Sequence, residues 1–268
     1  MSTAPDSSAG TAPGSSARST GASGPANGHG TIHGVGLGPG GQDLLSVRAD
    51  RLLRGARHVA FFRKAGRPGQ ARRIVEGMLP DGVIEFAMEY PVTTEIPFSD
   101  PRYNQIMSAF YEACAAHLRA LAEAGEDVVV LCEGDPFFYG SFMHLYTRLR
   151  ADVPVAVVPA ITGMSAAWTA TGQPITWGDD VLCVLMGTLP EDALVQHMQQ
   201  ADALVVMKIG RQIDKVRRAL RTAGRYEEAW LVEYASMPNQ TVQKLSEAED
   251  RVTPYFSIII VHGQGRRP

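Results

Sequence analysis

The strongest constraint on the fold of this chain is an alternation of short apolar runs with helix-length segments, which begins at Thr31. The run Val128–Leu131 is apolar at every position, and so is Ala203–Met207. Continuous apolar strands that alternate with helices indicate an α/β fold whose sheets are covered on both faces. The predicted strands are 32–36, 58–62, 127–132, 153–158, 181–185, 203–207, 230–234 and 255–261, and the predicted helices are 44–54, 103–124, 141–150, 165–171, 191–200 and 211–223.

The beginning of the chain does not share this pattern. Of residues 1–30, 25 are Gly, Ser, Ala, Thr or Pro, and none is Val, Ile, Leu, Phe, Tyr or Trp. Such a segment cannot bury an apolar core and lacks the apolar centre of a signal peptide, so we predict a disordered tail over 1–30. The remainder is predicted to form two α/β domains of ordinary size, over 31–152 and 153–268.

Composition argues against several classes of protein. The 25 Lys and Arg against 28 Asp and Glu leave a formal charge of −3, which disfavours nucleic-acid binding. No apolar run approaches the roughly 20 residues that span a bilayer, so no membrane partner is expected. Cys114, Cys132 and Cys183 are odd in number and far apart, which disfavours a disulfide framework and a zinc site and favours a cytoplasmic location. The histidines show no ligand spacing, so no metal is expected.

Glycine and proline collect where three predicted strands end. We call these segments the first loop (34–41), the second loop (133–140) and the third loop (159–163). In α/β folds ligands bind beyond the carboxyl ends of the strands, so the loops form a candidate binding site. In the second loop Gly134 allows close approach of the backbone, and Asp135 offers a hydrogen-bond acceptor. The competing interpretation of Asp135 is a helix N-cap.

The first loop also matches a dinucleotide-binding fingerprint. Gly36, Gly38 and Gly41 have the spacing G-x-G-x-x-G, and a basic pair follows the second strand, which is compatible with an NADP-dependent oxidoreductase. Pro39 argues against this alternative because it removes a backbone donor that a pyrophosphate needs.

Taken together, the three loops resemble those of the tetrapyrrole methylases. The matching stretches are Gly34-Val35-Gly36-Leu37-Gly38-Pro39-Gly40, Glu133-Gly134-Asp135-Pro136-Phe137-Phe138-Tyr139-Gly140-Ser141 and Val158-Pro159-Ala160-Ile161-Thr162-Gly163-Met164-Ser165. The resemblance implies two α/β/α domains with a cleft between them that binds S-adenosylmethionine, the arrangement of class III methyltransferases. It also implies a homodimer.

Further stretches resemble the branch of this family that methylates precorrin-2 at C20, to give precorrin-3A, in cobalamin synthesis. They are 66–72, 89–97, 177–180, 187–190, 207–211 and 254–257. Three alternatives remain open: the cobalt-loaded precursor of the anaerobic route as substrate, a relative that methylates RNA or protein, and a tetrapyrrole carrier without catalytic activity.

The resemblance also implies which residues contact the cofactor. They are Leu37, Pro39, Glu133, Gly134, Asp135, Phe138, Thr162, Gly163, Met207, Lys208 and Ala235. Two positions depart from the family pattern, because Gly41 replaces an Asp or Asn and Ala160 replaces a Gly. We expect the site to survive both changes.

Methyl transfer to an electron-rich carbon requires alignment more than an activated nucleophile, but a proton must leave the macrocycle afterwards. Candidates for assisting that step are Tyr139, Tyr90 and Glu95, with Glu89 as a further possibility. The substrate carries many carboxylates, and basic residues that follow the second strand suit them. We predict that Arg63, Lys64 and Arg67 contact the substrate.

Overall fold

The computed structural model describes residues 28–93, 96, 100–248 and 252–266. Most of the predicted tail lies outside the described residues, as does Glu95. Within the described part of the chain, no helix combines the length and apolar character needed to cross a bilayer.

The first half of the chain forms a five-stranded sheet in which all pairs are parallel. Its strands are β1 (Ile32–Gly36), β2 (His58–Lys64), β3 (Ile84–Tyr90), β4 (Val128–Cys132) and β5 (Val155–Val158), in the order β3-β2-β4-β1-β5. Its helices are α1 (Val47–Arg54), α2 (Gln70–Ile74), α3 (Pro101–Glu123) and α4 (Phe142–Leu149). Because every strand runs in one direction, the first, second and third loops all leave the same edge of the sheet.

Helices cover both faces of this sheet, which explains why β4 is apolar at every position. Val130 packs into a core with Leu118 of α3 and Leu145 of α4. Leu131, on the opposite face, packs with Leu53 of α1 and with α2. Successive strand residues point to opposite faces, so a strand between two helix layers needs apolar side chains throughout.

The second half forms a mixed five-stranded sheet. Its strands are β6 (Leu182–Met186), β7 (Ala203–Met207), β8 (Trp230–Glu233), β9 (Thr241–Lys244) and β10 (Ser257–Val261), in the order β6-β7-β10-β8-β9. Only β6 and β7 are parallel, and the other pairs are antiparallel. Helices α6 (Glu191–Gln200) and α7 (Ile213–Thr222) cover one face, and α5 (Gly163–Ala170) covers the other. The structure thus confirms the α/β fold.

Several details differ from the sequence prediction, among them the short helix α2, which the pattern does not predict. The predicted domain boundary at 152–153 lies before β5, whereas β5 pairs with β1 over Val155–Val158 and so belongs to the first sheet. The change from one sheet to the other takes place between β5 and β6. In addition, β3 and β9 were not predicted. Both are edge strands with polar residues and partial exposure, so they lack the continuous apolar pattern of the inner strands.

Candidate active site

Backbone hydrogen bonds join the first loop to the second. The nitrogen of Gly134 donates to the carbonyl of Gly38 at 2.9 Å, and the nitrogen of Gly38 donates back to the carbonyl of Gly134 at 3.3 Å. Both residues have a positive φ, 73° for Gly38 and 64° for Gly134, which glycine adopts without the steric cost of a Cβ. Two of the three loops therefore form one paired backbone surface.

Asp135 links the second loop to the third. Its Oδ1 accepts a hydrogen bond from the nitrogen of Phe137 at 2.9 Å, and its Oδ2 accepts one from the nitrogen of Ala160 at 3.0 Å. The residue is not a helix N-cap, because α4 begins after Ser141. The carboxylate positions two loops of the predicted cofactor site.

All three loops meet at Gly36. A Cβ on this residue would lie 2.6 Å from the Cβ of Ala160 and 2.9 Å from the carbonyl oxygen of Gly134. The methyl group by which Ala160 departs from the family pattern therefore fits, because Gly36 has no side chain. A methyl group on both residues would not fit.

The other predicted residues of the third loop lie at the start of α5. Thr162 caps this helix, since its Oγ1 accepts from the nitrogen of Ser165 at 3.3 Å. Gly163 faces the second loop, because a Cβ on Gly134 would lie 3.9 Å from the nitrogen of Gly163 and would meet no other neighbour within 4 Å. The space beside Gly134 is therefore open.

Segments of the second sheet approach these loops. A Cβ on Gly40 would lie 2.7 Å from Cγ of Met237, which follows β8. The ammonium of Lys208, which follows β7, lies 5.7 Å from the centre of the Tyr139 ring in the second loop. Met207 and Ala235 pack into the small core between the second sheet and α5. These contacts bring the segments after β7 and β8 close to the first and second loops, and we call the space between them the cleft.

Two predicted contacts are restricted by burial. Leu37 is completely buried and packs into the core between the sheet and α1, and Pro39 is buried as well. The nitrogen of Leu37 already donates to the carbonyl of Cys132 at 2.9 Å. Leu37 therefore offers neither its side chain nor its nitrogen to a ligand in the cleft.

The lining of the cleft contains a strained feature that sequence reasoning missed. Among the residues that the structure describes, four other than glycine have a positive φ: Tyr139 at 54°, Lys208 at 52°, Tyr234 at 53° and Ser236 at 65°. The left-handed conformation costs of order 1–3 kcal/mol for each such residue, and it persists only where the surrounding structure holds the backbone in place. All four lie in the segments that meet around the cleft, and nothing in their residue types distinguishes them in the sequence.

Glu133 lies where β4 opens into the second loop. Its Oε1 accepts a hydrogen bond from the nitrogen of Ala71 in α2 at 3.2 Å, and the residue is exposed. The surrounding protein displaces part of its hydration, and this desolvation raises its pKa to about 7, while the hydrogen bond from Ala71 opposes the shift.

The residues that the sequence suggests for proton transfer lie in environments that differ from one another. Tyr90 shares a hydrogen bond of 2.6 Å with Oγ of Ser141, which also accepts from the hydroxyl of Tyr111 at 3.1 Å. Burial raises the pKa of Tyr90 well above its usual range, so this hydroxyl stays protonated. Tyr139 is 46% exposed and lies beside Lys208, whereas Glu95 is outside the described residues.

The predicted substrate-binding residues lie at the carboxyl end of β2 and just beyond it. Arg63 pairs with Glu89 on β3, with 2.7 Å between Nη2 and Oε1. The ammonium of Lys64 donates to Oγ1 of Thr93 at 3.1 Å. Arg67 is exposed and forms no ion pair with any residue that the structure describes. Of the three, Arg67 offers its charge to a ligand most directly.

The dinucleotide interpretation of the first loop is not supported by the geometry. In that fingerprint the helix begins at the glycines and directs its N-terminus at the pyrophosphate. Here a short 3-10 helix (Gln42–Leu44) follows Gly41, and α1 begins only at Val47, after its cap Ser46. No group of three or more potential metal ligands is found within the described residues.

Comparisons with known proteins agree with this geometry. Residues 31–249 match the model of the tetrapyrrole (corrin/porphyrin) methylases. The chain is 46% identical to the precorrin-2 C(20)-methyltransferase of Sinorhizobium sp, over 90% of this chain and 98% of that protein. It is 30% identical to the cobalt-precorrin-2 C(20)-methyltransferase of Salmonella typhimurium, over 88% of this chain and 98% of that protein.

Solved structures show the same fold. A cobalt precorrin-4 methyltransferase superposes with a TM-score of 0.69 at 20% identity, over 89% of this chain and 97% of that one. The uroporphyrin-III C-methyltransferase of Thermus thermophilus, solved with S-adenosyl homocysteine, superposes with a TM-score of 0.62. It is 24% identical, over 87% of this chain and 97% of that one. The family-model match over residues 31–249 and the 46% identity show that the chain belongs to the tetrapyrrole methylase family.

Proposed function

We propose that this chain transfers a methyl group from S-adenosylmethionine to C20 of precorrin-2, giving precorrin-3A and S-adenosylhomocysteine. The observation that carries the proposal is the near full-length identity of 46% with an enzyme named for this reaction. The identity with the enzyme named for the cobalt-loaded substrate is 30%, so the metal-free substrate is the favoured one.

The residues around the cleft fit the cofactor. Gly134 and Gly163 leave room between them where a side chain would intrude, and the paired backbone of Gly38 and Gly134 borders that room. Aromatic and apolar groups suit an adenosine and a thioether, and Phe138, Met207 and Ala235 supply them. We assign these residues, with Thr162, to cofactor binding.

We propose that Asp135 supports the cofactor site indirectly. Each of its oxygens accepts a backbone hydrogen bond, so it acts by holding the second and third loops in place. Glu133 lies at the rim of the same site, with one oxygen anchored at Ala71.

Methyl transfer depends on alignment. The sulfonium of S-adenosylmethionine supplies an electrophilic methyl group, and the nucleophile is C20 of the substrate. The loops hold the donor while basic residues, above all Arg67, hold substrate carboxylates, so that the reacting atoms are in line. Exposed rings at the cleft, such as Tyr139 and Tyr255, offer flat apolar surfaces to the macrocycle.

We further propose that the protein works as a homodimer in the cytoplasm. We also propose that it has two α/β domains, with the boundary between them after β5. The dimer follows from the family resemblance. The location follows from three unpaired cysteines, of which Cys114 and Cys132 are buried.

The test is a comparison of two substrates under anaerobic conditions. Purified full-length protein is incubated with S-adenosylmethionine and either precorrin-2 or cobalt-precorrin-2, and kcat/KM is measured for each. We expect methylation of both substrates or of precorrin-2 alone, with a higher kcat/KM for precorrin-2 than for cobalt-precorrin-2. A higher kcat/KM for the cobalt-loaded substrate would reassign the substrate, and methylation of neither would reject the proposed function.

A further inference from the structure

We propose that the carboxylate of Glu133 accepts the proton that leaves C20 of the substrate after methyl transfer. This inference rests on the proposed function and adds a catalytic residue to it. The family resemblance implies that Glu133 contacts the cofactor, so the two roles make different predictions.

The reaction needs such an acceptor. An electron pair of the macrocycle forms the new bond from C20 to the methyl carbon, and the bond from that carbon to sulfur breaks with its electron pair remaining on sulfur. C20 then carries both a hydrogen and a methyl group. The pair of the C20–H bond returns to the macrocycle when the proton moves to a carboxylate oxygen, and the carboxylic acid later releases it to water.

The position of Glu133 suits this step. It is the first residue after β4, next to the Gly134 backbone that borders the proposed cofactor space. Its Oε1 is anchored by the nitrogen of Ala71, whereas its Oε2 accepts no hydrogen bond from any residue that the structure describes. One oxygen therefore orients the carboxylate and leaves the other available to a ligand in the cleft.

The groups around Glu133 favour a proton acceptor that works near neutral pH. Tyr90 at the end of β3 and Tyr255 before β10 are near enough to interact with it electrostatically, and Cys132 and Asp135 flank it on its own segment. Within the described residues, no Lys or Arg pairs with it to hold it ionised. Desolvation raises its pKa to about 7, where a carboxylate is a stronger base than at its usual value.

Other candidates at the site are engaged elsewhere. The hydroxyl of Tyr90 is shared with Ser141 and stays protonated. Glu89 is paired with Arg63, and both oxygens of Asp135 accept backbone hydrogen bonds. Of these carboxylates, Glu133 is the one that has neither an ion pair nor hydrogen bonds to both of its oxygens.

The test uses Glu133→Gln, whose amide oxygen still accepts from Ala71. Glu123→Gln is the matched control, because Glu123 is exposed at the end of α3, by the opposite edge of the sheet. Three quantities are measured for the full-length variants and the wild type: the pH profile of kcat with precorrin-2, the kinetic isotope effect with substrate deuterated at C20, and the affinity for S-adenosylhomocysteine by calorimetry. Infrared difference spectra of the cofactor-free protein, wild type against Glu133→Gln, follow the carboxyl band with pH.

We expect kcat of Glu133→Gln to fall about a hundredfold. The affinity of this variant for S-adenosylhomocysteine should stay within about twofold of the wild type. The wild-type kcat should rise with pH through about 7, because the acceptor must be ionised, and this step should vanish in Glu133→Gln. The isotope effect should increase in that variant, and the infrared band should titrate near 7. Glu123→Gln should match the wild type in all respects.

Three outcomes would overturn the proposal. They are an unchanged kcat and pH profile in Glu133→Gln, a loss of affinity for S-adenosylhomocysteine that accounts for the whole loss of activity, and an infrared band that titrates at the ordinary value of a glutamate. A wild type that binds S-adenosylhomocysteine but does not methylate precorrin-2 would instead reject the proposed function, and this proposal with it.

Discussion

The carboxylate of Asp135 accepts a hydrogen bond from the backbone nitrogen of Ala160 at 3.0 Å, and so joins the loop after β4 to the loop after β5. Its other oxygen accepts from Phe137 within its own loop. One side chain thereby sets the separation of two of the three loops around the proposed cofactor space. The position of this acceptor explains why the second loop carries an acid directly after a left-handed glycine.

Asp135→Asn should destabilise the protein and weaken cofactor binding. The carboxamide has a single acceptor oxygen, so its amino group must face one of two backbone donors. We expect the free energy of unfolding in urea to fall by about 1–3 kcal/mol, with a loss of affinity for S-adenosylhomocysteine. Asp179→Asn is the control, because Asp179 is 92% exposed and pairs loosely with Arg266. Equal stability and affinity of the two variants would contradict this account of Asp135.

Gly36→Ala should disturb the point where the loops meet. The added methyl group would lie 2.6 Å from the Cβ of Ala160 and 2.9 Å from the carbonyl of Gly134. We expect a loss of about 1–3 kcal/mol in the free energy of unfolding, with partial recovery when Ala160→Gly is added. Gly210→Ala is the matched control, since no atom lies within 4 Å of that Cβ position. Failure of Ala160→Gly to recover any stability would show that the two residues do not compete for space.

Lys208 and Tyr139 should be energetically coupled across the cleft. The ammonium lies 5.7 Å from the ring centre, a distance at which an exposed cation–π pair contributes about 0.5–1 kcal/mol. A double-mutant cycle with Lys208→Gln and Tyr139→Leu should measure a coupling of that size in urea unfolding. Tyr139→Phe retains the ring face and should preserve the coupling. Strict additivity of the two substitutions would show that the contact contributes nothing.

Arg67→Ala should weaken binding of the substrate more than Arg63→Ala does. Arg67 is exposed without an ion pair among the described residues, while the charge of Arg63 is already paired with Glu89. We expect the KM for precorrin-2 to rise about three- to tenfold in Arg67→Ala, with affinity for S-adenosylhomocysteine unchanged. Arg54→Ala, which alters an exposed pair with Asp50 at the end of α1, is the control. The same KM in Arg67→Ala and Arg54→Ala would remove Arg67 from the substrate site.

Much of this arrangement could be predicted from the sequence because its causes are local. Inner strands between two helix layers must be apolar throughout, so β4 and β7 are visible as continuous runs. Tight turns that approach a ligand need glycine, so the three loops are visible as well. The edge strands β3 and β9 lack the apolar run because one side of each meets solvent.

The parts that could not be predicted depend on contacts between distant segments. From the sequence alone, Asp135 could equally be the N-cap of a helix. Only the position of Ala160 in the structure shows that Asp135 links two loops. The left-handed backbone of Lys208 and Tyr234 has no signature in residue type. The raised pKa of Glu133 comes from desolvation by segments that fold around it, and the neutral Tyr90 comes from burial beside Ser141.

Methylation of C20 of precorrin-2 by this chain is the proposal on which the other proposed roles depend. The most direct measurement is an anaerobic incubation of the purified protein with precorrin-2 and S-adenosylmethionine labelled with ¹³C in the methyl group, followed by mass spectrometry and NMR of the product. We expect the gain of one labelled methyl group, located at C20, and no gain when S-adenosylmethionine is omitted. A label at another carbon, or no label in a protein that binds S-adenosylhomocysteine, would contradict it.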